Sequence, residues 1–171
     1  MIESVRFRQA ESRSQLFEML PSSQNILLGT EIDAPREFFL VEAHSQSTVR
    51  RVGILSAGVG VKPACAIRGD KLVVGFNSRI AILETNGSLG LVAEVPLLTL
   101  FHQFIDTPDV ENVLVLGETA VVALTSSGRE LWRVDTDLVT DHRLIGTTLT
   151  LMFSGEATVA LDVTSGQTTP G

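Results

Sequence analysis

Six acidic residues in two segments have the types and spacing most suggestive of binding chemistry. They are Asp135, Asp137 and Asp141 in VDTDLVTDH, and Asp106, Asp109 and Glu111 in IDTPDVEN. Closely spaced carboxylates can hold Ca²⁺, but the first segment lacks the spacing, central glycine and closing glutamate of an EF-hand. We therefore predict no metal site. We expect both loops to project from one face, where their negative potential would attract a basic protein partner.

The three histidines give a second, weaker signal. His44, His102 and His142 are isolated in the sequence, without an HxH or HExxH pattern or a carboxylate at ligand spacing. His102 and His142 occupy similar places in consecutive repeats, so folding could bring them toward a common face. The alternative hypothesis is a small ligand- or metal-binding protein or hydrolase, using residues near His102, Asp106, Asp141 and His142.

The remaining candidates for catalysis give no site. Cys65 is the single cysteine and lies in the apolar segment PACAI, which predicts a buried core residue and excludes an intrachain disulfide. The segment SAGVGVKP lacks the spacing of a phosphate-binding loop, and the chain has no GxSxG motif. We predict no catalytic residue and no cofactor, and favour a non-enzymatic protein over an enzyme.

Composition excludes several classes of partner. The chain has 171 residues, of which 44% are hydrophobic and 19% charged, as expected for a globular protein. It carries 20 acidic and 13 basic side chains, for a net charge of -7. Because nucleic acids and anionic membranes attract clustered basic residues, we expect neither as a partner. The N-terminal segment is charged and lacks the apolar core of a leader, so we expect a cytoplasmic location.

A weak internal repeat, with a spacing of roughly 40 residues, must position these side chains. Each copy has two β-rich runs followed by a Ser-Gly or Asn-Gly turn, and the clearest copies are Lys71–Val95, Asn112–Asp135 and Thr148–Gln167. The turns end at Gly87, Gly128 and Gly166, because glycine adopts the positive φ that such turns require. The repeat predicts an all-β chain of small antiparallel sheets.

The repeat divides the chain, taken as one domain over 1–171, into about four units. Their approximate limits are 15–54, 64–95, 101–134 and 142–166. The first unit matches least well, with Asn25–Leu28 and Phe38–Val41 as its inner strands. The segment Glu11–Leu20 has an apolar stripe typical of a helix, although it occupies the position of a first strand.

The two ends of the chain predict that the units close into a ring. The last unit lacks an outer strand after Gly166, whereas Ser4–Arg8 resembles the predicted outer strands Val49–Val52 and Leu131–Val134. The N-terminal strand could therefore close the last unit by pairing with Ala157–Leu161, leaving no open edge. Two alternatives are a homodimer, in which two chains exchange end strands to complete an eight-unit ring, and an incomplete stack.

The segment Val121–Val134, VVALTSSGRELWRV, resembles the repeat of the quinoprotein-like (PQQ-type) β-propeller superfamily. Ala160–Gly166 repeats its first half, and Ile82–Gly87 repeats it more loosely. The resemblance implies a β-propeller-like fold. Quinoprotein dehydrogenases have a tryptophan in most units and a vicinal cysteine pair, whereas this chain has only Trp132 and Cys65. Only the fold carries over, and we expect a protein-binding scaffold or regulatory interaction module.

Overall fold

The structure is a computed structural model that describes residues 2–20, 26–46, 48–86, 89–107, 112–154 and 157–169. The predicted loop residues Asp109 and Glu111, and the repeat glycine Gly87, lie outside these ranges. Among the described residues, no helix has the length and apolar character that crossing a bilayer requires.

Strands dominate the described part of the chain, and one short helix lies near its beginning. The elements are β1 Ser4–Ala10, α1 Arg13–Met19, β2 Ile26–Leu28, β3 Glu37–His44, β4 Val49–Ser56, β5 Ala64–Arg68, β6 Lys71–Phe76, β7 Arg79–Glu84, β8 Gly90–Pro96, β9 Phe101–Ile105, β10 Val113–Gly117, β11 Ala120–Leu124, β12 Glu130–Asp135, β13 Val139–Ile145, β14 Thr148–Phe153 and β15 Thr158–Asp162. This confirms the all-β prediction.

The strands form four small sheets. The second sheet has the order β5-β6-β7-β8, the third β9-β10-β11-β12 and the fourth β13-β14-β15, each a simple antiparallel meander. The first sheet has the order β1-β3-β4-β2, and β2 pairs parallel with β4. The predicted outer strand at Leu131–Val134 does lie at a sheet edge. That at Val49–Val52 does not, because β4 has a neighbour on each side.

The sheets pack face to face in series, because their buried strands present apolar side chains on both faces. In β6, Leu72 and Val74 pack toward the first sheet, while Val73 packs toward the third. In β10, Val115 packs toward the second sheet and Leu116 toward the fourth. This arrangement explains the nearly continuous apolar runs of the repeat, since a strand buried on both faces has no polar side to present to water.

Helix α1 covers the remaining face of the first sheet. Ser12 caps its N-terminus, with the Ser12 hydroxyl accepting a hydrogen bond from the Gln15 amide at 3.2 Å. Leu16 and Leu20 pack against Leu40 of β3 in a small separate core. The apolar stripe in Glu11–Leu20 therefore belongs to a helix rather than to a strand.

The repeated glycine turn has a packing role between neighbouring sheets. Gly166 has a φ of +71°, and its Cα lies against the ring of Trp132 in β12 of the preceding sheet. Gly128 has a φ of +89° and lies against Ala93 of β8 in the same way. Ala93 and Trp132 both pair with the third strand of their sheets. The repeat is therefore visible in the sequence because a side chain at this turn glycine would collide with the neighbouring sheet.

The prediction that the N-terminal strand closes the last sheet is wrong. Strand β1 instead pairs antiparallel with β3, from Ser4 opposite His44 to Ala10 opposite Phe38. The edge of β15 is occupied by the residues that follow it, with a bridge between Leu161 and Thr168. Both pairings join segments close in sequence, so their loop-closure entropy costs less than that of joining the two ends of the chain.

Candidate functional site

Three loops that carry the chain from one sheet to the next lie at the same edge of the stack. They are 57–63, 97–100 and 136–138, and we call this side of the protein the connection edge. Register shows their common location. Ala64, at the start of β5, pairs with Gly75 beside the turn at 77–78, and Pro96, at the end of β8, pairs with Arg79 beside the same turn.

Backbone hydrogen bonds attach the second and third connections to a turn of the sheet that each one leaves. The amide of Leu97 donates to the carbonyl of Ser78, and the amide of Phe101 donates to the carbonyl of Asn77, both at 2.7 Å. In the next sheet, the amide of Thr136 donates to the carbonyl of Thr119 at 3.0 Å. These bonds satisfy loop backbone groups and hold the connections in fixed positions.

Asn77 fastens the first connection with its side chain. Its Oδ1 accepts hydrogen bonds from the Ser56 hydroxyl and the Ala57 amide, both at 3.1 Å, and its Nδ2 donates to the carbonyl of Leu55 at 3.4 Å. Asn77 has a φ of +47°, a conformation that asparagine tolerates better than most residues. The turn between β6 and β7 therefore also anchors the chain that arrives from β4.

Each connection carries an exposed aliphatic side chain. Val59 is 41% exposed, Leu98 is 86% exposed and Leu138 is 50% exposed. Isolated exposed apolar residues are common on protein surfaces. Here, however, one occurs in each of three successive equivalent connections at a single edge. We call these three residues the aliphatic row, and sequence reasoning missed them because loop position alone does not reveal exposure.

The four predicted acidic residues that the structure describes, Asp106, Asp135, Asp137 and Asp141, do not lie on a single face. Asp106 follows Ile105, whose partner Leu114 lies near the start of β10, whereas Asp135 pairs with Ala120 at the opposite end of the third sheet. The two loops differ because 106–112 joins strands within a sheet, while 136–138 joins two sheets. Antiparallel succession places such loops at opposite edges.

The described acidic residues therefore have different surroundings. Asp135 and Asp137 are exposed at the connection edge, while Asp106 is at the other edge, 3.5 Å from a guanidinium nitrogen of Arg68. Asp141 lies in β13 and lines a cleft beside the connection edge. The alternative grouping of Asp106 with His102 and His142 is also not formed.

A cleft of about 530 Å³ lies between the first connection and the first strands of the third and fourth sheets. Its lining residues are Gly60, Val61, Lys62, His102, Gln103, Leu116, Val139, Thr140, Asp141 and His142. The structure therefore brings His102, His142 and Asp141 together, as their positions in the repeat suggested. The polar lining also includes Lys62, Gln103 and Thr140, which no sequence motif indicates.

His142 is positioned by two neighbours. Its Nδ1 lies 3.2 Å from Nε2 of Gln103, and its backbone amide donates to Oδ1 of Asp141 at 2.8 Å. Within the described ranges, no group of three or more His, Cys, Asp or Glu side chains is arranged to hold a metal ion. The cleft offers hydrogen-bonding and charged side chains.

Cys65 has the properties of a packing residue. It packs against the core between the first and second sheets. Burial raises the pKa of the Cys65 thiol well above its usual range. The thiol therefore stays protonated near neutral pH. It is a poor nucleophile in this state, because only the thiolate reacts effectively.

Comparison with known proteins extends the structural result, although no family model and no curated protein sequence matches the chain significantly. BamB from Moraxella catarrhalis matches with a TM-score of 0.54 and 20% identity over 77% of this chain and 45% of its own. AztD from Citrobacter koseri matches with a TM-score of 0.51 and 14% identity over 88% of this chain and 46% of its own. A europium-containing methanol dehydrogenase matches with a TM-score of 0.49 and 13% identity over 61% of this chain and 23% of its own.

The chain thus spans less than half the length of each of these proteins. At such identities the likeness concerns the fold and not the activity. Together with the four face-packed sheets, the matches to BamB and AztD show that the chain has a β-propeller-like fold.

Proposed function

We propose that this protein is a non-enzymatic binding module that docks another protein on its connection edge. The observation that carries the proposal is the aliphatic row, above all Leu98, which is 86% exposed. Burying an exposed leucine in an interface removes apolar surface from water, and one fully buried side chain contributes about 1.5–3 kcal/mol. A row of three such anchors suits a protein surface better than a small solute.

The fixed positions of the connections support this proposal. Loops held by backbone hydrogen bonds lose less conformational entropy on binding than mobile loops do. The Leu97 and Phe101 amides are bonded on either side of Leu98, and Thr99 Oγ1 accepts from the Thr119 amide at 3.0 Å. The leucine side chain therefore projects from a preorganised support.

The charge around the row favours a basic partner. Asp135 and Asp137 are exposed beside Leu138, and Glu118 lines the surface next to Leu98. A partner with aliphatic or aromatic side chains flanked by lysine or arginine would complement both features. Apolar anchors would supply most of the affinity, while the charges would favour rapid association at low salt.

The test is a quantitative comparison of proteins captured from the native cell extract by tagged variants. We expect Leu98→Ser combined with Leu138→Ser to reduce capture of a specific partner at least tenfold, because two anchors are lost. The matched control is Leu91→Ser, since Leu91 is 49% exposed on β8, at the opposite edge of its sheet. The control should capture the partner as the unmodified protein does.

Two outcomes contradict the proposal. One is an equal loss of captured partner in the double variant and in the Leu91→Ser control, which would indicate nonspecific hydrophobic adsorption or misfolding. The other is a captured protein whose amount is unchanged in the double variant, because its binding surface would then lie elsewhere.

A further inference from the structure

We propose that the cleft beside the connection edge is a binding site for a carboxylate group. This inference is independent of protein docking at the aliphatic row. It rests on three residues that line the cleft and carry hydrogen-bond donors: Lys62, His142 and Gln103.

Lys62 is an ammonium without a partner of its own. The chain has only two lysines, and the other one, Lys71, lies 2.9 Å from Glu84 and 3.6 Å from Asp70. Lys62 is exposed at the mouth of the cleft and has no ion pair within the part of the chain that the structure describes. A ligand carboxylate would give this ammonium its first charged partner.

His142 is oriented to donate a second hydrogen bond. When the Gln103 carboxamide donates to Nδ1 of His142, the neutral imidazole carries its proton on Nε2. That N–H is then available to an acceptor in the cleft. A carboxylate has two oxygens and can accept from an ammonium and an imidazole N–H together.

The one carboxylate in the lining does not fill the site. Oδ1 of Asp141 accepts from the backbone amide of His142, which directs this oxygen to its own strand. The apolar residues Val61, Leu116 and Val139 form the rest of the wall. These side chains can pack against the hydrocarbon part of a ligand whose carboxylate lies at Lys62.

The size of the cleft suits a small acid. Its volume of about 530 Å³ lies within the usual range of small-molecule sites, about 300–1,000 Å³. A carboxylate can come from a free organic acid or from an acidic side chain of a docked protein. Succinate serves as the probe for the first source, and a capped aspartate, N-acetyl-aspartate amide, for the second.

The experiment is a two-dimensional ¹H–¹⁵N NMR titration of the full chain with each probe. Succinate should shift the amide signals of Lys62, His102 and His142, whereas uncharged succinamide should not. Lys62→Gln should weaken binding about tenfold, because a charge-assisted hydrogen bond is lost. Lys71→Gln makes the same charge change outside the cleft and should weaken binding less than twofold.

The pattern of response also identifies the source. Tighter binding of succinate assigns the site to a free acid, and tighter binding of the capped aspartate assigns it to an acidic side chain. Either result supports a carboxylate site. The proposal is overturned by an absence of shifts at these amides, by equal weakening in both lysine variants, or by equally strong binding of inorganic phosphate. None of these outcomes bears on capture at the aliphatic row.

Discussion

Glu42 shows how single residues stabilise the first sheet. Its side chain is only 4% exposed, and its two carboxylate oxygens lie 3.1 Å from Nε of Arg8 and 2.9 Å from Nε of Arg51. Burial raises the pKa of Glu42, but the hydrogen bond from Arg51 and the charge of Arg8 outweigh it. The pKa therefore lies below its ordinary value of 4.5. Glu42 thus links β1 and β4 to the strand between them.

This arrangement predicts an acid-sensitive contribution to stability. Because the pKa of Glu42 is lowered in the folded state, its contribution is complete above the ordinary value and is lost as pH falls through the folded-state value. We expect Glu42→Gln to lower the free energy of unfolding by about 2 kcal/mol near neutral pH, since it leaves two arginines without their carboxylate. Urea unfolding near neutral pH and at a pH below 4.5 measures both effects.

The matched control for this prediction is Glu31→Gln. The Glu31 carboxylate is 42% exposed and pairs with Arg79 at 2.8 Å, but Arg79 also pairs with Glu94. An exposed pair of this kind is worth less than about 1 kcal/mol. A Glu42→Gln variant as stable as the control, or one that keeps the full acid sensitivity of the unmodified protein, would contradict the account.

At the scale of elements, the sequence predicts regular strands well and long-range pairing poorly. The apolar runs of β6, β7, β10 and β11 follow directly from burial on both faces. The pairing of β1 could not be predicted in this way, because Ser4–Arg8 has an alternation that suits the edge of either terminal sheet. Strand β1 pairs with β3, the nearer of the two candidate partners along the chain. The pattern of apolar and polar residues does not distinguish between these partners.

The turn at Asn77 carries a prediction about how two elements are joined. Asn77→Ala should lower the free energy of unfolding by about 2–3 kcal/mol, because it removes three hydrogen bonds and places alanine at a positive φ. Asn77→Gly loses the same bonds without the strain, so its cost should be about 1 kcal/mol smaller. Chemical denaturation measures the difference. Equal costs would show that backbone strain contributes nothing here.

At the scale of the whole molecule, the repeat predicts the series of sheets but not the surface that the series creates. The glycine turns and apolar runs specify face-to-face packing, and the fold resemblance follows from them. The repeat predicts a single acidic face because its pattern does not encode the direction of each strand within a unit. The aliphatic row and the cleft both depend on which loops share an edge, and that requires the complete topology.

The most direct test of the central claim is site-specific photo-crosslinking in the native cell. A photoreactive amino acid replaces Leu98 in one variant and Leu91 in the other, two exposed leucines at opposite edges of the stack. Docking at the connection edge predicts a discrete crosslinked product with a second protein from position 98 and a much weaker one from position 91. The same product at equal yield from both positions, or a product from position 91 alone, would contradict it.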